Sequence, residues 1–396
     1  MRRKRRSVPI LPILFVFLMV MIGIIIYNSG LLVTIGLLEG NIPDDLDIDP
    51  NDPRVIAKVD ETIDRNAVKD TVHKFVNLIT GRVDQGVAKV IAVDGVKGFK
   101  LAGFKYELRD AITGEVLDVL ETDASGEATS IPVDYKQAYR LVQMNAAHPY
   151  DPNATEIVFE MKADIMELSS VQKINERVKA YDSDGSGQVV ITELLMEVPL
   201  ILQKPELPNG CEITALTALL NYNGYPIDKV TLSDQFLDKA PFYKKDNKVY
   251  GADPNIAFSG DPKDPGGWFV YAPPTVKAGQ AYIDSVSGKH QVVDLTGLTE
   301  DEIMKKVSEG YPVGIWATRD LSLANFGYGW YLEADDTYFA AATNLHCMVI
   351  YGFKGDQLYV MDPLEGNQLY DRETFFRSFE SLGSRAMIVE EPIDGK

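Results

Sequence analysis

Two cysteines and four histidines are the whole supply of soft nucleophiles and neutral-pH bases in this chain of 396 residues. Cys211 follows Pro-Asn-Gly and opens the apolar run EITALTALLNY, which has helical spacing. A cysteine at a helix start meets free N–H groups and the positive end of the helix dipole, both of which favour thiolate over thiol. A thiol nucleophile also needs a base. His73 and His148 fall in earlier segments, and His290 sits in the polar turn SGKHQ, which reads as plain surface. His346 opens HCMVIYGFKGDQLYVMDP, two apolar strands joined by a turn around Lys354-Gly355-Asp356. With a three-residue loop, Met348 pairs with Asp362, and His346 then lies diagonally from Asp362 on one face. A two-residue loop puts them on opposite faces. Gln203, eight residues before the cysteine, carries an amide N–H that can join the Cys211 backbone N–H around a developing oxyanion. Cys347 follows the histidine; alternate strand residues face opposite ways, so it reads as a small core residue rather than a redox partner of Cys211.

A second constellation is DSDGSGQVVITE, residues 182–193. Asp182, Asp184, Ser186, the Gln188 carbonyl and Glu193 take positions 1, 3, 5, 7 and 12 of an EF-hand loop, with Gly187 at position 6. Hard oxygens at this spacing suit Ca²⁺, here as a structural ion, although Val190 supplies no ligand at position 9. The preceding VQKINERVKAY is helical in pattern, and a solvated Asp/Gly turn is the plainer alternative.

The elements that position these groups can be placed from patterning. Arg2, Arg3, Lys4, Arg5 and Arg6 precede an uncharged stretch, residues 8–27, long enough to cross a bilayer of about 30 Å. Basic flanks stay cytoplasmic, so the remainder is expected outside the cell on a single-pass signal anchor. A cleaved signal peptide competes, but no Ala occurs before Ala57 to make an A-x-A site. The domain plan is then a basic tail and anchor over 1–40, an acidic Pro-rich linker and stalk helix over 41–85, a small β-sandwich over 86–163, the EF-hand-like segment over 164–197 and an α+β catalytic domain over 198–396. Formal net charge is −19, with +5 in the first six residues, so nucleic acid is excluded as a partner. Two cysteines build no disulfide framework.

VPLILQKPELPNGCEITALTALLNYNGY, YPVGIWAT, LHCMVIYGFKGDQLYVMDPLEG and the final FFRSFESLGSRAMIV together resemble the papain-like cysteine peptidases of family thirty-nine. These are relatives of double-glycine leader peptidases. The likeness spans roughly 198–392 and is to the stand-alone branch, since the chain carries no transporter segment. It implies a papain-like fold, a peptide or protein substrate, Cys211 as nucleophile, His346 as base and acid, Asp362 as orienting residue and Gln203 as oxyanion donor. The Gly/Pro-rich stretch 251–274, with Trp268, Phe269 and Tyr271, would line the substrate cleft. AGFKYELRDAITGEVLDVLETDASGEA resembles the prealbumin-like domains of Gram-positive surface proteins and pilins. Some of those carry a Lys–Asn crosslink assisted by an acidic residue, whose place here Gln143 takes. Two other functions use the same residues or none of them: an amidase or acyl transferase on cell-wall peptides, and an inactive surface binding module.

Overall fold

The computed structural model describes residues 85–152 and 156–392, which fall within one compact unit, Asp64–Lys396. The basic tail, the apolar segment 8–27 and the stalk up to residue 84 lie outside the described residues. Among the described residues no helix is long and apolar enough to cross a membrane.

Alternation builds the first layer pair. Strand Gln85–Asp94 buries every second residue, so Ala88, Val90 and Ala92 point inward while the intervening side chains face out. It pairs antiparallel with Glu127–Thr129 and Val133–Asp134, and parallel with Ile165–Gln172. The facing sheet runs Val116–Glu121, Lys105–Asp110, Ala138–Gln143, Glu156–Glu160. Phe104, Tyr106, Leu108, Leu141 and Met161 fill the space between, each fully buried. A large apolar side chain so placed contributes about 1.5–3 kcal/mol. Residues 165–172 complete this sandwich, so it extends beyond the 163 expected from patterning. Gln143 is tied to Gln172 by amide hydrogen bonds of 3.0 Å.

The segment expected to be EF-hand-like is not helical. VQKINERVKAY ends the parallel strand at Gln172 and begins a new strand, Val178–Ser183, which forms a hairpin with Val189–Leu195. Strand pairing outweighs the helical spacing of its apolar residues, because Val178 and Tyr181 are buried as strand residues. Leu194 pairs with Phe353, so the hairpin extends the main sheet of the C-terminal domain. At the hairpin tip Gly187 has φ +83°, and a Cβ there would stand 2.8 Å from that of Ala102. The Gly187 carbonyl accepts the Ala102 N–H at 2.9 Å, which joins the hairpin tip to the sandwich.

The main sheet has eight strands. Its principal path is Gln291–Asp294, Ala386–Glu390, Val313–Thr318, Leu345–Lys354, Val189–Leu195, Val178–Ser183, with Gln357–Asp362 paired to Leu345–Lys354 and Gly366–Asp371 paired to Gln357–Asp362. Helices α1 (Cys211–Tyr222), α2 (Lys229–Gln235), α3 (Ala272–Ser285), α4 (Glu300–Ser308) and α5 (Arg372–Ser381) complete the α+β domain. Strand Val313–Thr318 is buried along its whole length, so it is a central strand covered on both faces. Thr299 and Glu302 form a capping box at the start of α4, and Asp371 caps α5 through the Thr374 N–H.

Candidate active site

Helix α1 is apolar all round, and its first ten residues are buried, as a helix lodged between sheet and outer helices must be. Gly210 caps it; a Cβ there would lie 2.6 Å from that of Leu207, so the entry turn admits only glycine. This fixes Cys211 at the first helical position, facing a cleft of about 510 Å³. Gln203, Cys211, Trp268, Phe269, Arg319, Asn344 and His346 are among the residues lining it. The nucleophile, base and amide candidates thus share one cavity, and part of the 251–274 stretch forms its wall.

His346 and Asp362 meet at 2.7 Å, Nε2 to Oδ1, both buried. The turn between their strands has two residues, since Lys354 pairs with Gln357. That register alone would separate them. A bulge between Ile350 and Gly352 shifts the pairing by one, so Val349 faces Met361 and the next pair brings Met348 to Asp362. Gly352 makes the bulge: any side chain there would drive into the Leu194 carbonyl of the neighbouring strand.

Asp362 is held as a carboxylate. Burial alone would raise its pKa, but the His346 ring and the N–H groups of Leu364 and Glu365 keep it below the ordinary value. Tyr370 lies 3.4 Å from the other carboxylate oxygen, and burial with that charge pushes its hydroxyl up to about 12. With Nε2 on the carboxylate, Nδ1 is the imidazole nitrogen left to take a proton.

The sulfur departs from the expectation of a pre-formed thiolate. Burial pushes the Cys211 thiol well above its usual range and the Glu212 carboxylate adds to this; the Cys347 N–H only partly offsets them. The sulfur is therefore held as a thiol at rest, and a thiolate requires removal of its proton. Cys347 is buried and free, as is Cys211.

Gln203 Nε2 donates to the Pro208 carbonyl at 2.7 Å. One amide hydrogen is fixed by that contact and the second remains for a ligand. Its Oε1 is buried without a hydrogen-bond partner among the described residues. His290 lies outside the cleft lining and contacts Tyr225 Oη at 2.7 Å.

Patterning did not single out Glu212, the residue after Cys211. It is fully buried. A carboxylate inside a helix with no polar face was the available signal.

The residues expected to bind calcium have contacts of their own within the protein. Asp182 pairs with Lys97 at 3.0 Å, Glu193 with Lys354 at 3.2 Å and Tyr359 at 2.8 Å, while Asp184 accepts from Ser186 and the Gln188 N–H. Among the described residues no group of three His, Cys, Asp or Glu side chains is placed to hold a metal ion.

Cys211 thus stands at the start of a helix packed against an antiparallel sheet that carries His346 and Asp362, with Gln203 in the same cleft. Residues 195–387 match the model of the Peptidase_C39 like family. Among curated proteins, the uncharacterised protein YvpB of Bacillus subtilis (strain 168) is 27% identical over 191 residues, covering 48% of this chain and 72% of its own length. A solved structure described as a C39-like peptidase from Bacillus anthracis is 28% identical with a TM-score of 0.45, covering 50% of this chain and 98% of its own. A double-glycine-motif protease from an AMS/PCAT transporter, solved with its leader peptide, is 19% identical with a TM-score of 0.29, covering 50% of this chain and 94% of its own.

Proposed function

We propose that the domain hydrolyses peptide bonds through Cys211, His346, Asp362 and Gln203. One observation carries the reading: Cys211, His346 and Gln203 line a single cleft, with the imidazole oriented from behind by Asp362. His346 Nδ1 takes the thiol proton as the sulfur attacks the carbonyl carbon. The oxyanion is received by the free Gln203 N–H and the Cys211 backbone N–H. The imidazolium, stabilised by Asp362, gives its proton to the leaving amine, and water then releases the thioester with the same ring as base.

The test is the alkylation of Cys211 by iodoacetamide at neutral pH, followed by peptide mass mapping. His346→Ala is expected to lower the rate, because the proton acceptor is gone. Equal rates in both proteins would contradict the reading.

Residues 8–27 belong to the same proposal as a single-pass membrane anchor that leaves the catalytic domain outside the cell, supported by their uncharged length and the preceding basic residues. Retention of the full chain in carbonate-washed membranes supports it, and release into the wash opposes it. On this reading the sandwich is a spacer of pilin type. Calcium at residues 182–193 would require Asp182 to leave Lys97 and Glu193 to leave Lys354 and Tyr359. Calorimetry with millimolar Ca²⁺ decides: heat and a raised melting temperature support the ion, and neither rejects it. No step of the chemistry runs through it.

A further inference from the structure

We propose that Glu212 is a positioning residue whose charge restrains the nucleophile: ionised, it holds Cys211 as a thiol, and protonated, it lets the sulfur ionise. This rests on the reading of Cys211 as the nucleophile.

Glu212 is the second residue of α1 and is fully buried. Its Oε1 accepts the Val270 N–H at 3.2 Å. Its Oε2 is buried with no partner of hydrogen-bond geometry among the described residues. No Lys, Arg or His among the described residues is paired with it. Its own backbone N–H and the Cys211 thiol also favour the charged form, but burial outweighs these contacts and no cation among the described residues balances the charge. The titratable groups that face it are Cys211 on its own helix and Cys347 from strand Leu345–Lys354. The segment leading into α3 contributes only the Val270 N–H; the Val270 carbonyl is held in turn by Trp316 Nε1 at 3.0 Å.

Two consequences follow from this geometry. The Glu212–Val270 contact ties the nucleophile helix to the segment that puts Trp268 and Phe269 into the cleft wall. The carboxylate also sits beside the sulfur, where its negative charge opposes a second negative charge. Protonation removes that opposition and supplies an O–H that can donate to the thiolate. Burial pushes the acid up to about 7, into the range where the protein can move between the two states. The two groups then titrate together, and thiolate appears over a broad pH span in two steps.

Glu212→Gln keeps the size and an oxygen for the Val270 N–H, and places an amide N–H where the acidic proton would stand. The experiment is iodoacetamide alkylation of Cys211 in the full chain from pH 5 to 10, read by mass mapping. The unchanged chain should show a broad, two-step rise. E212Q should show a single step and react roughly threefold or more faster at pH 8, where the wild-type carboxylate is charged. Superimposable profiles would overturn the proposal. Should E212Q fail to fold by circular dichroism, the His346→Ala chain decides: an inflection near pH 7 that persists without the imidazole supports Glu212, and a single step there overturns it. An unaltered rate in His346→Ala would reject the nucleophile reading itself, whereas matching E212Q and wild-type profiles reject only the role of Glu212.

Discussion

His346 Nε2 stands 2.7 Å from Asp362 Oδ1 because one strand carries an extra residue. The two-residue turn would have set the pair on opposite faces, and the bulge at Tyr351 returns them to one. The His346–Asp362 contact is thus built by a backbone irregularity beside Gly352, where a side chain would meet the Leu194 carbonyl.

Asp362→Asn should preserve the fold and lower the turnover number by about 100- to 10,000-fold, since an amide orients the ring without stabilising the imidazolium. Steady-state hydrolysis of a cleaved peptide checks this. A change confined to KM would speak against the orienting role. Asp362 also predicts an acid limb in stability. Its folded pKa is depressed, so its contribution is present above the unfolded value and disappears as pH falls through the folded one.

Gln203→Ala should reduce turnover by about 100- to 1,000-fold, the range for removing one oxyanion donor. Alkylation of Cys211 should be unchanged, because no oxyanion forms in that reaction. Loss of both together would mean that Gln203 serves the cleft's structure through Pro208 instead.

Gly352→Ala should destabilise the domain by about 1–3 kcal/mol through the collision with the Leu194 carbonyl. It should weaken hydrolysis further by displacing His346 from Asp362. Gly355→Asn, at φ +55° in the adjoining turn with open space around it, should leave both properties near wild type. Thermal melts of the two variants make the comparison, and equal melting temperatures would contradict the steric account.

Glu212 should tilt the pH profile of stability as well as reactivity. Its folded pKa, about 7, lies above the ordinary value of 4.5, so the native state binds the proton more tightly than the unfolded chain. Stability from this group is full below the unfolded value and declines as pH rises through 7, by on the order of 3 kcal/mol. Denaturant melts across pH 4.5 to 8 should show that decline in wild type and lose it in E212Q.

Much of the site was legible because its chemistry needs rare residues at telling places. A cysteine after Pro-Asn-Gly at a helix start, with a His and an Asp on one later hairpin, left few alternatives among four histidines. The register of that hairpin was not legible, since the turn has two residues and the bulge depends on the distant Leu194. VQKINERVKAY misled because its apolar spacing fits a helix, while its actual partners, strands 85–94 and 189–195, are set by the tertiary fold. The EF-hand spacing of 182–193 falls on a hairpin between two strands, where Asp182 contacts Lys97 and Glu193 contacts Lys354 and Tyr359. The ionisation of Cys211 went astray for a related reason: helix position is visible in sequence, whereas burial beside Glu212 is a property of the packed core.

The most direct measurement is hydrolysis of a mixture of short random peptides by the full chain, analysed by mass spectrometry beside a Cys211→Ala chain. The account predicts new peptide termini with the intact protein and their loss, with no change of fold, in the variant. Identical products from both, or none from a folded intact protein whose Cys211 resists alkylation, would contradict it.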